Sequence, residues 1–128
     1  MTFRFVTKTV HAYLDYPVAL SLIATPFVLG LGRDNPLALW LSVATGVAAL
    51  LLTVLTDHGT GLVRVLPYRF HLLVDRLVGL VFIAAPVVLG FHGLDAAYYW
   101  ANGAAVLLVT VVLSAPERDE PALSPARA

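Results

Sequence analysis

Four apolar runs of membrane-spanning length constrain this chain more than any other feature. They cover residues 12–31, 37–55, 72–91 and 96–113. A helix needs about 20 mostly apolar residues to cross a hydrocarbon core of roughly 30 Å. Backbone amides in lipid find no water, so a span must be a helix or belong to a closed barrel. Runs this long read as helices, despite β-branched stretches such as Val109-Thr110-Val111-Val112. The turns Arg33-Asp34-Asn35-Pro36 and His92-Gly93-Leu94-Asp95 are short, so each joins antiparallel neighbours into a hairpin. A longer connection, residues 57–70, separates the two hairpins.

Composition agrees with lipid as the solvent. Apolar residues make up 59% and charged residues 12%, against about 45–50% and 25% in soluble domains. The net charge is zero, so no nucleic-acid partner is indicated. Without cysteine there is no disulfide, thiolate metal site or Cys nucleophile. No P-loop, dinucleotide fingerprint, zincin motif or G-x-S-x-G elbow occurs. Arg4 and Lys8 before an apolar run imitate a signal peptide, but Asp15 interrupts the start of that run. The same pattern also returns in the third run, which no cleaved leader does.

The basic residues orient the bundle. Arg4, Lys8, Arg64, Arg69, Arg76, Arg118 and Arg127 share the side of the termini and the central connection, and only Arg33 opposes them. Both termini are therefore expected in the cytoplasm, with the protein in the cell membrane. Tyr13, Tyr16, Tyr68 and Phe70 mark the expected inner interface, and Trp40, Tyr98, Tyr99 and Trp100 the outer one. The expected organisation is a cytoplasmic N-terminal segment (1–10), a first two-helix repeat (11–56), a cytoplasmic connection (57–70) and a second repeat (71–115). The last segment (116–128), rich in proline and mixed charge, reads as a disordered cytoplasmic tail.

A shift of sixty residues superposes the halves. Residues 11–40 and 71–100 share eleven identities without a gap. The uncommon types carry the signal: His11/His71, Asp15/Asp75, Pro26/Pro86, Gly30/Gly90 and Trp40/Trp100. Each repeat holds two crossings, so both copies enter the membrane in the same direction, and their pseudo-twofold axis runs along the membrane normal. The fold expected is an all-α membrane protein, four transmembrane helices as two tandem parallel-oriented hairpin repeats. Helices one and three should face each other near the axis.

A two-helix repeat with a proline late in its first helix resembles the SPW repeat of small bacterial membrane proteins. The Ser-Pro-Trp triplet falls at Thr25-Pro26-Phe27 and Ala85-Pro86-Val87, followed by Val28-Leu29-Gly30 and Val88-Leu89-Gly90. Of the triplet only the proline is retained. The resemblance implies the fold and carries no activity with it.

Within the spans, Pro26 and Pro86 each remove an amide donor and free the carbonyl one turn earlier, at Leu22 and Phe82. Fixed bends are the expectation, with Gly30 and Gly90 ending the helices. Ser42-x-x-x-Gly46 and Ala101-x-x-x-Ala105 are small-residue spacings suited to close helix packing. The duplicated His-x-x-x-Asp, His11/Asp15 and His71/Asp75, puts each pair on one helix face together with its proline. Ionisable groups at that depth suggest function. The favoured reading is a polar lock in which the aspartates pair with Arg76 or Arg69, without metal or cofactor. Two imidazoles and two carboxylates also suit zinc. Against that stand helix axes 8–10 Å apart and Arg76 beside the supposed cation. His58 and His92 have no repeat partners and read as solvated or interfacial.

No loop is long enough for an enzyme's pocket. The expected role is structural or accessory, packing in the bilayer with copies of itself or with another membrane protein. A small transporter or channel subunit using the His/Asp positions, and a membrane metal- or cofactor-binding protein, are the alternatives.

Overall fold

The computed structural model describes residues 3–58 and 60–115; the expected tail, 116–128, lies outside them. Four helices follow one another: α1 (Lys8–Leu29), α2 (Leu37–Leu55), α3 (Tyr68–Leu89) and α4 (Gly93–Leu107), the last continuing as a π-helical turn, Leu108–Val112. Among the described residues there is no strand, only two isolated bridges. All four helices are long and apolar enough to span a membrane, and only 22–28% of each most apolar window is buried. Most of the apolar surface therefore faces outward, as lipid requires and water would not tolerate.

The first and third helices begin four residues before the apolar runs do. Thr7 caps α1, its hydroxyl accepting from the Val10 amide at 3.2 Å, which satisfies one of the free N-terminal donors. His11 and Asp15 thus sit inside a formed helix. At the far end Gly30 and Gly90 take left-handed conformations, φ 64° and 73°, and end α1 and α3 as expected.

Within each hairpin the helices pack through glycine. A Cβ on Gly46 would stand 2.8 Å from the Ala19 carbonyl, and one on Gly103 2.9 Å from that of Gly79. Ser42-x-x-x-Gly46 is buried as expected, whereas Ala101 and Ala105 are exposed. In the second hairpin the close approach belongs to Gly79 and Gly103, which the small-residue spacing missed.

The hairpins join at both ends of the bundle. At the turn end, Leu22, Leu31, Phe82, Phe91, Tyr98 and Tyr99 form an apolar core. Tyr99 stacks near Phe82 and Phe91, with ring centroids 4.6 and 4.9 Å away, and donates to the Ala38 carbonyl at 2.7 Å. Tyr98 and Tyr99 are 7% and 0% exposed, so they are core residues rather than interface markers. Trp40 and Trp100 do lie exposed. At the opposite end, Leu66 donates to the Leu55 carbonyl and accepts from the Asp57 amide; Val6 repeats this with Leu113 and Ala115. Val6 and Leu66 are sixty residues apart, so the repeat extends to the segments that lead into α1 and α3.

Pro26 releases the Leu22 carbonyl, and the structure shows where that acceptor goes. Ser42 Oγ donates to it at 2.7 Å and lies 2.6 Å from the Tyr98 hydroxyl. A freed carbonyl in an apolar setting is costly; here a helix of each hairpin helps to satisfy it. In the second repeat Trp100 donates to the Ile83 carbonyl, one residue past Phe82. Pro17 also lies inside α1.

Candidate functional site

The first turns of α1 and α3 bring the two His-x-x-x-Asp pairs together. A spacing of four residues stacks His11 over Asp15 and His71 over Asp75. His11 Nε2 lies 3.0 Å from Asp15 Oδ1 and 2.9 Å from Asp75 Oδ2. His71 Nε2 lies 3.2 Å from Asp75 Oδ2 and 3.4 Å from Asp15 Oδ2. Each imidazole therefore reaches both carboxylates, one on its own helix and one on the other. The two rings meet edge to face, centroids 5.3 Å apart. One ligand atom from each of the four residues can be chosen so that all lie within 4.8 Å of one another.

Two residues of the connection after α2 complete the cluster, and sequence reasoning assigned neither to it. His58 is 2% exposed, not solvated, and its Nε2 sits 3.1 Å from Asp15 Oδ2. Burial pushes its imidazole below the ordinary value, with the Asp15 charge opposing that shift. Its Nε2–H donates to that carboxylate oxygen and orients it. Thr56 Oγ1 lies 2.6 Å from the Leu52 carbonyl and 2.7 Å from His71 Nδ1. Neither residue has a counterpart at the sixty-residue shift, which is why the repeat gave no sign of them. Tyr68, expected at the interface, is buried with its ring edge toward His11.

Arg76 belongs elsewhere. Its guanidinium donates to the Thr110 carbonyl through Nη2 at 2.8 Å and Nε at 3.2 Å. The last carbonyls of a helix lack intrahelical partners, and its C-terminal end is negative. The arginine next to Asp75 in sequence thus secures the end of α4, while His11, His58 and His71 stand against the carboxylates. His92 stands exposed on the turn, 4.0 Å from Asp34, and takes no part.

Beyond the cluster the hairpins separate around a chamber of about 510 Å³. Val18, Leu22, Ala49, Val78 and Val106 supply apolar wall; His11, Asp15, His71 and Asp75 lie at the cluster end. Val18 and Val78, equivalent positions sixty residues apart on α1 and α3, both line this chamber.

The SPW repeat domain matches residues 9–116 of the chain. The chain belongs to the SPW repeat family. That match spans all four helices and agrees with their reading as membrane spans in two hairpins. No curated protein and no solved structure matches the chain.

Proposed function

We propose that this SPW protein is a binding protein of the membrane, holding a small apolar molecule with a polar end between its hairpins. One observation carries the reading: a chamber of about 510 Å³ closed at one end by four ionisable side chains. Packed interiors leave few voids larger than a water molecule, while ligand sites are typically about 300–1,000 Å³, mostly apolar with a few convergent polar groups. The ring of His11 lines the chamber, and its Nδ1 is buried without a hydrogen-bond partner among the described residues. A bound molecule's polar end suits the ionisable side chains that line the cluster end of the chamber. Binding rather than catalysis is the role, and lipid is the solvent around it.

The orientation proposed with it has both termini cytoplasmic and both repeats entering from that side of the cell membrane. The basic residues at the cluster end support it. Reporter fusions at Asn35 and Asp95 should read outside; a cytoplasmic signal at Asn35 reverses the bundle.

Native mass spectrometry of gently extracted protein tests the chamber. Wild type should carry a small-molecule adduct that Ala49→Phe, which fills the wall, abolishes. A wild-type spectrum free of adducts, or one unchanged by the substitution, removes this reading. The second reading is a structural or accessory protein that packs with its own copies or with another membrane protein. It is favoured by the polar and aromatic contacts that clamp the hairpins at both ends. It predicts a folded, adduct-free protein whose oligomeric mass in detergent exceeds one chain.

A further inference from the structure

We infer that His11, Asp15, His71 and Asp75 form a binding site for one divalent cation of the zinc class. The inference is independent of what the chamber holds. Four observations converge on it.

The first is shape. Zinc bound by nitrogen and carboxylate oxygen at about 2.0–2.2 Å in a tetrahedron sets neighbouring donor atoms roughly 3.3–3.6 Å apart. The four nitrogen–oxygen separations here run from 2.9 to 3.4 Å, mostly a few tenths of an ångström short of those edges. The widest spacing among four chosen donor atoms is within 4.8 Å, so small side-chain adjustments would bring them to a tetrahedron. Helix spacing, an objection at the level of sequence, is no obstacle, because the long side chains already converge.

The second is the tautomer of His71. The Thr56 hydroxyl has one hydrogen, and the Leu52 carbonyl one turn back accepts it at 2.6 Å. At 2.7 Å the same oxygen must then accept from His71 Nδ1–H. That leaves Nε2 as the nitrogen facing Asp15 and Asp75. A hydrogen bond to the far ring nitrogen is the usual support of a metal-binding imidazole. Thr56 and His71 are both buried.

The third is charge. An Nε2 lone pair directed at two carboxylates requires positive charge between them. One divalent cation supplies the charge that balances Asp15 and Asp75 together, and leaves a lipid-embedded site neutral. That matters because uncompensated charge there is expensive.

The fourth is the removal of the competing cation. Arg76 is held at the Thr110 carbonyl, while His58 donates to Asp15 Oδ2 at 3.1 Å. In the bound state each imidazole contributes the Nε2 lone pair and each aspartate one oxygen.

The test uses the full chain in detergent, stripped with chelator and titrated with zinc chloride. Elemental analysis after desalting should find one zinc per chain. Cobalt substituted for zinc should show the visible absorption of a tetrahedral site. Asp75→Asn and His71→Ala should abolish retention, and His92→Ala should not. Thr56→Val should weaken affinity by about 10–100-fold, the usual effect of removing such a support. Zinc should raise the unfolding temperature of wild type and leave that of Asp75→Asn unmoved, which separates binding from folding. Wild type that retains no zinc overturns the proposal. So does retention that survives His71→Ala, or affinity in Thr56→Val equal to wild type.

Discussion

The two halves of the cluster come from one duplicated pattern and are finished differently. On the His71 side, Thr56 accepts from Nδ1 and fixes the ring. On the His11 side, Nδ1 is buried with no hydrogen-bond partner among the described residues. The bridges make the comparison close: Thr56 pairs with Leu66 just before α3, and Ser114 pairs with Val6 just before α1. Ser114 therefore occupies the position that Thr56 holds in the other repeat, without reaching the imidazole. Asp15 and Asp75 differ in the same sense. Asp15 faces His11, His71 and His58, while Asp75 faces only two of these, His11 and His71. Duplication set the four central groups; the segments between the helices supplied their supports and made the site asymmetric.

The largest break in that comparison should come from the carboxylates. Asp15→Ala strands three imidazoles around a side chain that is 9% exposed. Removing one member of a buried charged network costs about 3–5 kcal/mol. Asp75→Ala affects two imidazoles and a side chain already 18% exposed, and should cost nearer 2 kcal/mol, the range of hydrogen bonds to charged groups. Thermal unfolding in detergent, with metal absent from both samples, reads the difference. Equal losses would mean that His58 adds nothing to Asp15.

A smaller effect separates the supports. Thr56→Val keeps the shape and leaves His71 Nδ1 without its acceptor, at a cost of about 1–3 kcal/mol. Ser114→Ala removes a hydroxyl that takes no part in the cluster and should stay within about 0.5 kcal/mol. If Ser114→Ala proves as damaging as Thr56→Val, the two halves are equivalent in solution and the asymmetry is lost.

The parts of this picture legible in the sequence are those with a period. The four spans follow from hydrophobic length, and the juxtaposition of His11, Asp15, His71 and Asp75 from four-residue spacing repeated after sixty. Residues in connections carry no such period, so Thr56 and His58 were invisible, although a histidine beside a helix end was the available hint. Tyr98 and Tyr99 were misread because an aromatic near a span's end suits the interface and the core equally. Their hydroxyls settle the matter by finding Ser42 and the Ala38 carbonyl inside the bundle. Pro26 illustrates the opposite case. The freed Leu22 carbonyl was predictable from backbone chemistry, but Ser42 as its donor depended on how α2 packs against α1.

The smallest expected effect is a coupling close to zero, and it concerns Arg76. On sequence alone the arginine beside Asp75 pairs with a carboxylate, so Asp15→Ala and Arg76→Ala together would cost less than their sum. The structure directs Arg76 to the Thr110 carbonyl, which accepts from both Nη2 and Nε. Thr110 lies in the π-helical turn that ends α4, where orphan carbonyls and the negative end of the helix dipole attract a cation. Arg76→Ala alone should cost about 1.5 kcal/mol, the low end for a hydrogen bond with a charged donor. Its partner is then unrelated to Asp15, and substitutions without shared partners add within about 0.3–0.5 kcal/mol. A double-mutant cycle on unfolding free energies measures this directly. Additivity within that margin keeps the arginine at the end of α4. A coupling of 1 kcal/mol or more would return it to the carboxylates, and with it a fixed positive charge where a divalent ion would have to sit.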